Sequence, residues 1–312
     1  MDMTRRAEVA EVPPSVEAQI HLRGPYSLEE VALMGFGHRD ESSFDGVLRL
    51  ACCVDGDYET QVGVEVRQES STLRLRIVAA AAAPEVDEAA TAVVVAQVAR
   101  VLSADHDGDA FARICRADPV LSRLAAAAPG FRPALFYSPY EAALWSILSA
   151  RRPRSQGIAL RSRLGQQYGT TFDLAGVPTV AVPTPSQLLQ VEELPGLPVD
   201  RIPRLHAIAR AAQQGRLDAA RLLALDPEEA MAQLQQLPGI GPFYAALILI
   251  RACGAADLLP TGEARSREAV RELYGWDRSL SDSEYAALAE RWRPFRTWAV
   301  VSIRALHGRV GP

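Results

Sequence analysis

The sequence predicts an α+β fold, with a small N-terminal antiparallel sheet domain followed by a longer all-helical part. Three observations point there. Between residues 47 and 80 apolar residues alternate in VLRLACCV, QVGVEVRQE and TLRLRIV, separated by Asp55-Gly56-Asp57 and Ser70-Ser71. Period-two alternation broken by turn residues is the pattern of an antiparallel meander. Beyond about residue 102 the apolar spacing becomes helical. At 312 residues and 48% hydrophobic content, the chain can bury more than one core.

After the meander a helix is predicted at about residues 86–102, following Pro84, and it closes a domain over residues 1–102. Residues 103–312 form the helical part. In ADHDGDAFARICR, Asp105, Asp107 and Asp109 alternate as in a calcium loop. Ala110 stands where the sharp turn needs glycine, however, and Arg116 where a bidentate glutamate is needed, so a loop capping the next helix is expected. Ser138-Pro139-Tyr140-Glu141 reads as a capping box opening EAALWSILSA. The stretch GVPTVAVPT at 176–184 breaks the helices. Further helices are expected in RLHAIARAAQQG, ending at Gly215, in EEAMAQLQQL, stopped by Pro238, and in SDSEYAALAERW, stopped by Pro294.

A net charge of −5 argues against a polyanionic partner, but the distribution does not. Residues 151–172 and 291–312 carry arginines and no acid, which allows a basic face on an acidic molecule. All 33 basic residues are arginine. Chemistry through a lysine Schiff base is thereby excluded, because a guanidinium stays protonated. Cys52, Cys53, Cys115 and Cys253 show no C-x-x-C spacing, and His21, His38, His106, His206 and His307 no metal spacing. Core thiols in a reducing compartment and no metal site are expected. The sequence has no apolar run of membrane length and no signal-peptide pattern at its start, so a cytoplasmic protein without membrane association is expected.

The most specific signal is LPGIGPFYAALILI at residues 237–250. Gly239 and Gly241 can take backbone angles closed to other residues and admit a ligand to the main chain. A tight turn at the mouth of a helix presents free N–H groups at the positive end of the dipole, which makes an anion site. Such a site grips a phosphate and ignores base identity. In LPGLP at 194–198, proline replaces the second glycine and removes an N–H, so that copy is read only as a helix punctuator.

With its preceding helix, the hairpin at about 228–251 resembles the helix-hairpin-helix of DNA-repair proteins. GAADLLPTGEARSREAV resembles the continuation found in base-excision glycosylases. The branch most similar is that of the alkylated-base enzymes, DNA-3-methyladenine glycosylase II. GPYSLEEVALMGF resembles its opening, SPYEAALWSIL its first core helix and AERWRPFRTWAVVSIRAL its last, so the likeness runs from about residue 20 to 308. It implies a helical glycosylase core and a monomeric, nucleoid-associated enzyme of base-excision repair. Such an enzyme flips a damaged, alkylated base from double-stranded DNA and hydrolyses its N-glycosidic bond. No cofactor is implied beyond a monovalent cation that the hairpin carbonyls can hold.

The resemblance also implies roles for single residues. Gly239, Ile240 and Gly241 hold a DNA phosphate. Glu263, three past Pro260, takes the place of the family's catalytic aspartate. The longer side chain moves the carboxylate by roughly an ångström, a displacement worth about a hundredfold in rate. Phe36 and Phe243 match base-pocket positions, and Phe243 also replaces the lysine of relatives that nick the backbone, which implies a monofunctional enzyme. Arg304 stands at the position of a pocket aromatic, where a guanidinium repels a cationic base. Arg151, with Arg152 and Arg154 beside it, stands at the wedge that fills the gap left by the flipped base. These departures leave a DNA-binding or damage-sensing relative without catalysis as the alternative.

Overall fold

The computed structural model describes residues 14–38, 42–80 and 87–311. The start of the chain, residues 1–13, and Pro84 lie outside the described residues. The alternating runs form a four-stranded antiparallel sheet of β1 (Ser15–His21), β2 (Leu48–Val54), β3 (Asp57–Glu69) and β4 (Thr72–Ala79), in the order β1-β4-β3-β2. Strand β1 is absent from the sequence-based reading. Its stretch SVEAQIH buries only Ile20, as an edge strand does, and pairs through Ile20 with Leu73. One sheet face packs Val62, Val64, Val66, Leu73, Leu75 and Ile77 against α1 (Leu28–Ala32) and α2 (Glu88–Val101).

The other face of the sheet is covered from the second half of the chain. The segment expected to be a helix breaker is one arm of a hairpin, β5 (Thr171–Leu174) and β6 (Val177–Val180). Its two turn residues, Ala175 and Gly176, have φ of 49° and 76°, the left-handed pair of a type I′ turn. Phe172 and Leu174 lie on Gly63 of β3, where a Cβ would come within 2.8 Å of both side chains. Central β3 is therefore buried on both faces, and even Glu65 is 4% exposed.

The helical part continues with α3 (Gly108–Ala117), α4 (Pro119–Ala127), α5 (Pro139–Ser149), α6 (Arg154–Tyr168), α7 (Pro185–Leu188) and α8 (Ile202–Gln213). It ends with α9 (Ala219–Ala224), α10 (Pro227–Gln235), α11 (Pro242–Ile248), α12 (Ala264–Leu273), α13 (Asp282–Ala289) and α14 (Arg296–Val310). Asp107 caps α3, accepting from Asp109 N at 2.9 Å and Ala110 N at 3.2 Å, so the acidic loop is a cap. Ser138 Oγ accepts from Glu141 N at 3.1 Å, but the Glu141 carboxylate turns away to Arg161 of α6 at 2.5 Å, leaving half of the expected box. One core gathers around α5, with Tyr140, Leu144, Leu205, Leu234 and Ile248. A second gathers around α14, with Phe111, Val270, Tyr285, Trp292 and Trp298. Helix α11 runs into a π-helical turn, Leu249–Cys253, closed by left-handed Gly254 at φ 91°. Among the described residues no helix is long and apolar enough to cross a membrane.

Arg100 of α2 ties these parts together. Its guanidinium donates to Asp55 Oδ2 at the β2–β3 turn, to Tyr137 O just before α5, at 3.1 Å, and to Ala252 O in the π-helical turn. Burial pushes the Asp55 carboxyl above its ordinary range, with Arg100 pulling against it. Removing one member of a buried pair leaves the other charge uncompensated, so Asp55→Ala is expected to cost about 3–5 kcal/mol in urea unfolding. A loss below about 1 kcal/mol, the scale of an exposed pair, would place the interaction in solvent.

Candidate nucleic-acid interface

In the 237–241 turn, Leu237 and Ile240 are each 4% exposed, while Pro238, Gly239 and Gly241 face solvent. The two glycines have different causes. Gly239 has φ 94°, a left-handed angle, and a Cβ on it would meet Ile147 Cδ1 of α5 at 2.7 Å. Gly241 has φ −90° and ψ −179°, extended backbone that any residue adopts, and a Cβ there would meet open space. Nothing among the described residues requires it to be small. Ile240 N donates to Leu237 O at 3.0 Å, so that amide is committed to the turn and the Ile240 side chain fastens it to the core. First-turn amides of a helix lack an intrahelical acceptor, and no side chain caps α11. The Phe243 and Tyr244 N–H groups therefore point outward at the positive end of the helix.

Arginines surround this turn. The Arg204 side chain lies within 3.3 Å of the Gly239 Cβ position. Arg201 Nη1 donates to Ile147 O at 2.9 Å, closing the C-terminal end of α5. Exposed Arg151, between α5 and α6, is left-handed at φ 58°, a conformation that costs a non-glycine residue about 1–2 kcal/mol. Such strain concentrates at functional sites. Arg152 donates to Gly196 O at 3.4 Å and Arg163 to Pro195 O. Arg154 Nε donates to Gly37 O at 3.1 Å, joining the start of α6 to the loop that carries Phe36. Burial first, then neighbouring Arg152 and Arg204, hold the Arg201 guanidinium below its ordinary range, though a guanidinium remains charged.

Among the described residues, Arg151, Arg152, Arg163, Arg201 and Arg204 make no ion pair with a carboxylate, unlike Arg161, which is paired with Glu141. The other acid-free stretch behaves differently. Arg293 and Arg296 bind Asp257 at 2.7 and 2.9 Å, and Arg309 binds Glu30 at 2.6 Å. Three arginines of this stretch are thus close to an acid in space, whereas those at the hairpin are not.

The remaining residues singled out in the sequence stand as follows. Phe36 is half-buried, with its ring edge-on to Phe136 at 4.9 Å and the Arg251 guanidinium 3.5 Å from its centroid. Phe243 is 54% exposed and its ring neighbour is Tyr244, at 5.3 Å. Glu263 is half-buried at the start of α12, where its Oε2 accepts from Ser266 Oγ at 2.5 Å. Its charge adds to burial in pushing the Tyr285 phenol upward. Arg304 is exposed on α14, with no ion-pair partner among the described residues. Arg163, Arg201 and Arg204 were missed in the sequence reading. The likeness of LPGLP to LPGIG was the signal that could have found them. Among the described residues no group of three or more His, Cys, Asp or Glu side chains is placed to hold a metal ion.

No family model matches the chain. Over 188 residues it is 29% identical to DNA-3-methyladenine glycosylase 2 of Escherichia coli strain K12, covering 59% of this chain and 63% of that protein. Over 212 residues it is 28% identical to the probable bifunctional transcriptional activator/DNA repair enzyme AlkA of Mycobacterium tuberculosis strain H37Rv, covering 65% of this chain and 40% of that one. In these matches the chain spans less than two thirds of each relative's length. The solved 3-methyladenine DNA-glycosylase from Archaeoglobus fulgidus superposes with a TM-score of 0.74 at 22% identity, covering 93% of this chain and 98% of that one. The two share a fold: a small antiparallel sheet ahead of a helical core, which in this chain carries the exposed hairpin. By sequence the chain is similar to these two proteins over part of their length.

The two hairpin glycines should separate in folding stability. Gly239→Ala is expected to cost about 1–2 kcal/mol or more for its left-handed backbone. Gly241→Ala should stay within about 0.5 kcal/mol of the wild type. Urea denaturation of the two variants checks this, and equal losses would mean that Gly241 is also needed for packing.

Proposed function

We propose that this chain is a monofunctional DNA glycosylase of base-excision repair that removes a damaged, alkylated base from double-stranded DNA. The observation that carries it is the solvent-facing hairpin, with outward amides and a small second glycine, ringed by arginines that pair with no carboxylate among the described residues. Amides and arginines together suit the phosphate backbone of a duplex, where contacts position without reading sequence. Extrusion of the target nucleotide then brings its sugar within reach of the protein.

In this reading Arg151, fixed by its strained turn, fills the gap in the stack, and arginine suits that place because it stacks on bases and binds phosphate. The N-glycosidic bond breaks with its electron pair leaving on the base, which departs neutral if alkylation had made it cationic. The Glu263 carboxylate stabilises the oxocarbenium-like sugar and takes a proton from the water whose oxygen bonds to the anomeric carbon. Phe36 and Phe243 offer apolar faces, and Arg304 adds a cation to the approach. With no lysine in the chain, no lysine amine can attack the sugar to nick the strand. The enzyme needs no cofactor. A monovalent cation on the hairpin carbonyls belongs to the same reading, and Leu237 O and Gly241 O, which already accept from Ile240 N and Ala245 N, each keep a second lone pair for it. We take the protein to act as a cytoplasmic, nucleoid-bound monomer.

Duplex DNA carrying alkylated bases should release free base and retain intact abasic sites, with no adduct trapped by borohydride. Glu263→Gln is expected to slow single-turnover release by about 10²–10³-fold, the scale of a lost electrostatic group, without changing duplex affinity. Gly241→Ala should weaken binding about tenfold, near the worth of one charge-assisted hydrogen bond. Tight binding without release, equal in the Glu263 variant, would instead identify a damage-sensing relative without catalysis.

A further inference from the structure

The turn at residues 194–198 is a structural twin of the hairpin. Gly196 has φ 93° and Gly239 φ 94°. Leu197 N donates to Leu194 O at 2.8 Å, as Ile240 N does to Leu237 O at 3.0 Å. In each turn the two aliphatic side chains are buried while the intervening proline and glycine are exposed. Each leads to an exposed apolar residue at the start of the next helical segment, Val199 at 70% and Phe243 at 54%. The twins rest on the two helices that the Arg151-Arg152 turn joins. Gly239 rests on Ile147 of α5 and on Arg204, whereas Gly196 rests on Leu160 and Arg163 of α6.

Pro198 deprives the second turn of the amide that Gly241 supplies in the first, so its main chain works through the other polar group. Pro195 O accepts from Arg163 and Gly196 O from Arg152. A guanidinium has five donor hydrogens, and a single carbonyl leaves most of them available. Arg152 Nη1 has no acceptor among the described residues although it is shielded from water, which costs free energy unless an incoming acceptor satisfies it. Neither arginine pairs with a carboxylate among the described residues, so both charges remain open.

We infer that the 194–198 turn is a second phosphate clamp for duplex DNA, with Arg152 and Arg163, aimed by the turn's carbonyls, as its ligands. The hairpin grips one backbone phosphate through amides, the twin turn another through guanidinium groups, and Arg151 lies on the turn joining the two helices beneath them. This rests on the DNA-binding part of the proposed function and is independent of base release.

The test is binding of the full chain to duplex DNA containing a stable abasic-site analogue, over a series of KCl concentrations. Arg152→Gln/Arg163→Gln should lower the slope of log affinity against log salt by about 2, one for each phosphate no longer neutralised. Arg163→Lys, which keeps the charge, should retain most of its share, and Arg74→Gln on the remote strand β4 should leave the slope at the wild-type value. Melting temperatures of each variant report folding. If the double variant unfolds, the single Arg163→Gln variant carries the test with an expected change of about 1. An unchanged slope in a folded variant overturns the clamp and leaves the turn as packing. Wild-type protein whose steep slope flattens in the double variant, yet which releases no base, supports the clamp and removes the glycosylase reading alone.

Discussion

Arg100 is the residue on which the placement of the site depends. Its guanidinium reaches a carboxylate on the sheet, the carbonyl just before α5 and a carbonyl in the turn that ends the hairpin helix. The far end of α5 carries the Arg151 turn, and the near end of α11 carries the hairpin. A single buried cation thus sets the spacing between two elements that, in the proposed function, meet the DNA backbone together. In a low-dielectric interior such a fully engaged group is strong, and any partner left unpaired is costly. The sheet domain acts here as the bracket against which both are held.

The hairpin is built from two kinds of constraint that one pattern of letters conceals. Gly239 is required by backbone angle and by Ile147 beneath it, whereas nothing among the described residues requires Gly241 to be small. In the proposed function that openness admits the DNA backbone. The charges are divided in the same way. On a chain with a net charge of −5, some arginines are neutralised by nearby acids, as Arg293 and Arg296 are by Asp257, while among the described residues those around the hairpin pair with no carboxylate. At physiological salt a screening length of about 8 Å makes such local distribution matter more than the total.

Much of this was legible in the sequence because it rests on local rules. Alternation gave β2 to β4, Asp107 and Ser138 announced their caps, and the paired glycines announced the hairpin. What stayed hidden depends on contacts between distant segments. Strand β1 does alternate, with Val16, Ala18 and Ile20 between polar residues, but it stands apart from the meander and is held only because β4 offers an edge. The β5–β6 hairpin looked like a helix breaker because its apolar residues answer to Gly63, more than a hundred residues earlier. Glu141 abandoned its capping partner for Arg161, a competition no spacing rule expresses. The arginines around Gly239 come from three separate stretches, so no window of the chain displays them as a group.

The widened turn Leu249–Cys253 closes this chain of dependence. It joins the hairpin helix to the second core, and within it Arg251 reaches Phe36 and Ala252 reaches Arg100. Shortening the stretch by one residue would restore an ordinary helix and rotate everything beyond it by about 100°, the angle of one α-helical step. Both partnerships would break at once, although no side chain had been exchanged. Over these five positions the number of residues constrains the structure beyond what their identity does, because it sets the phase of everything that follows.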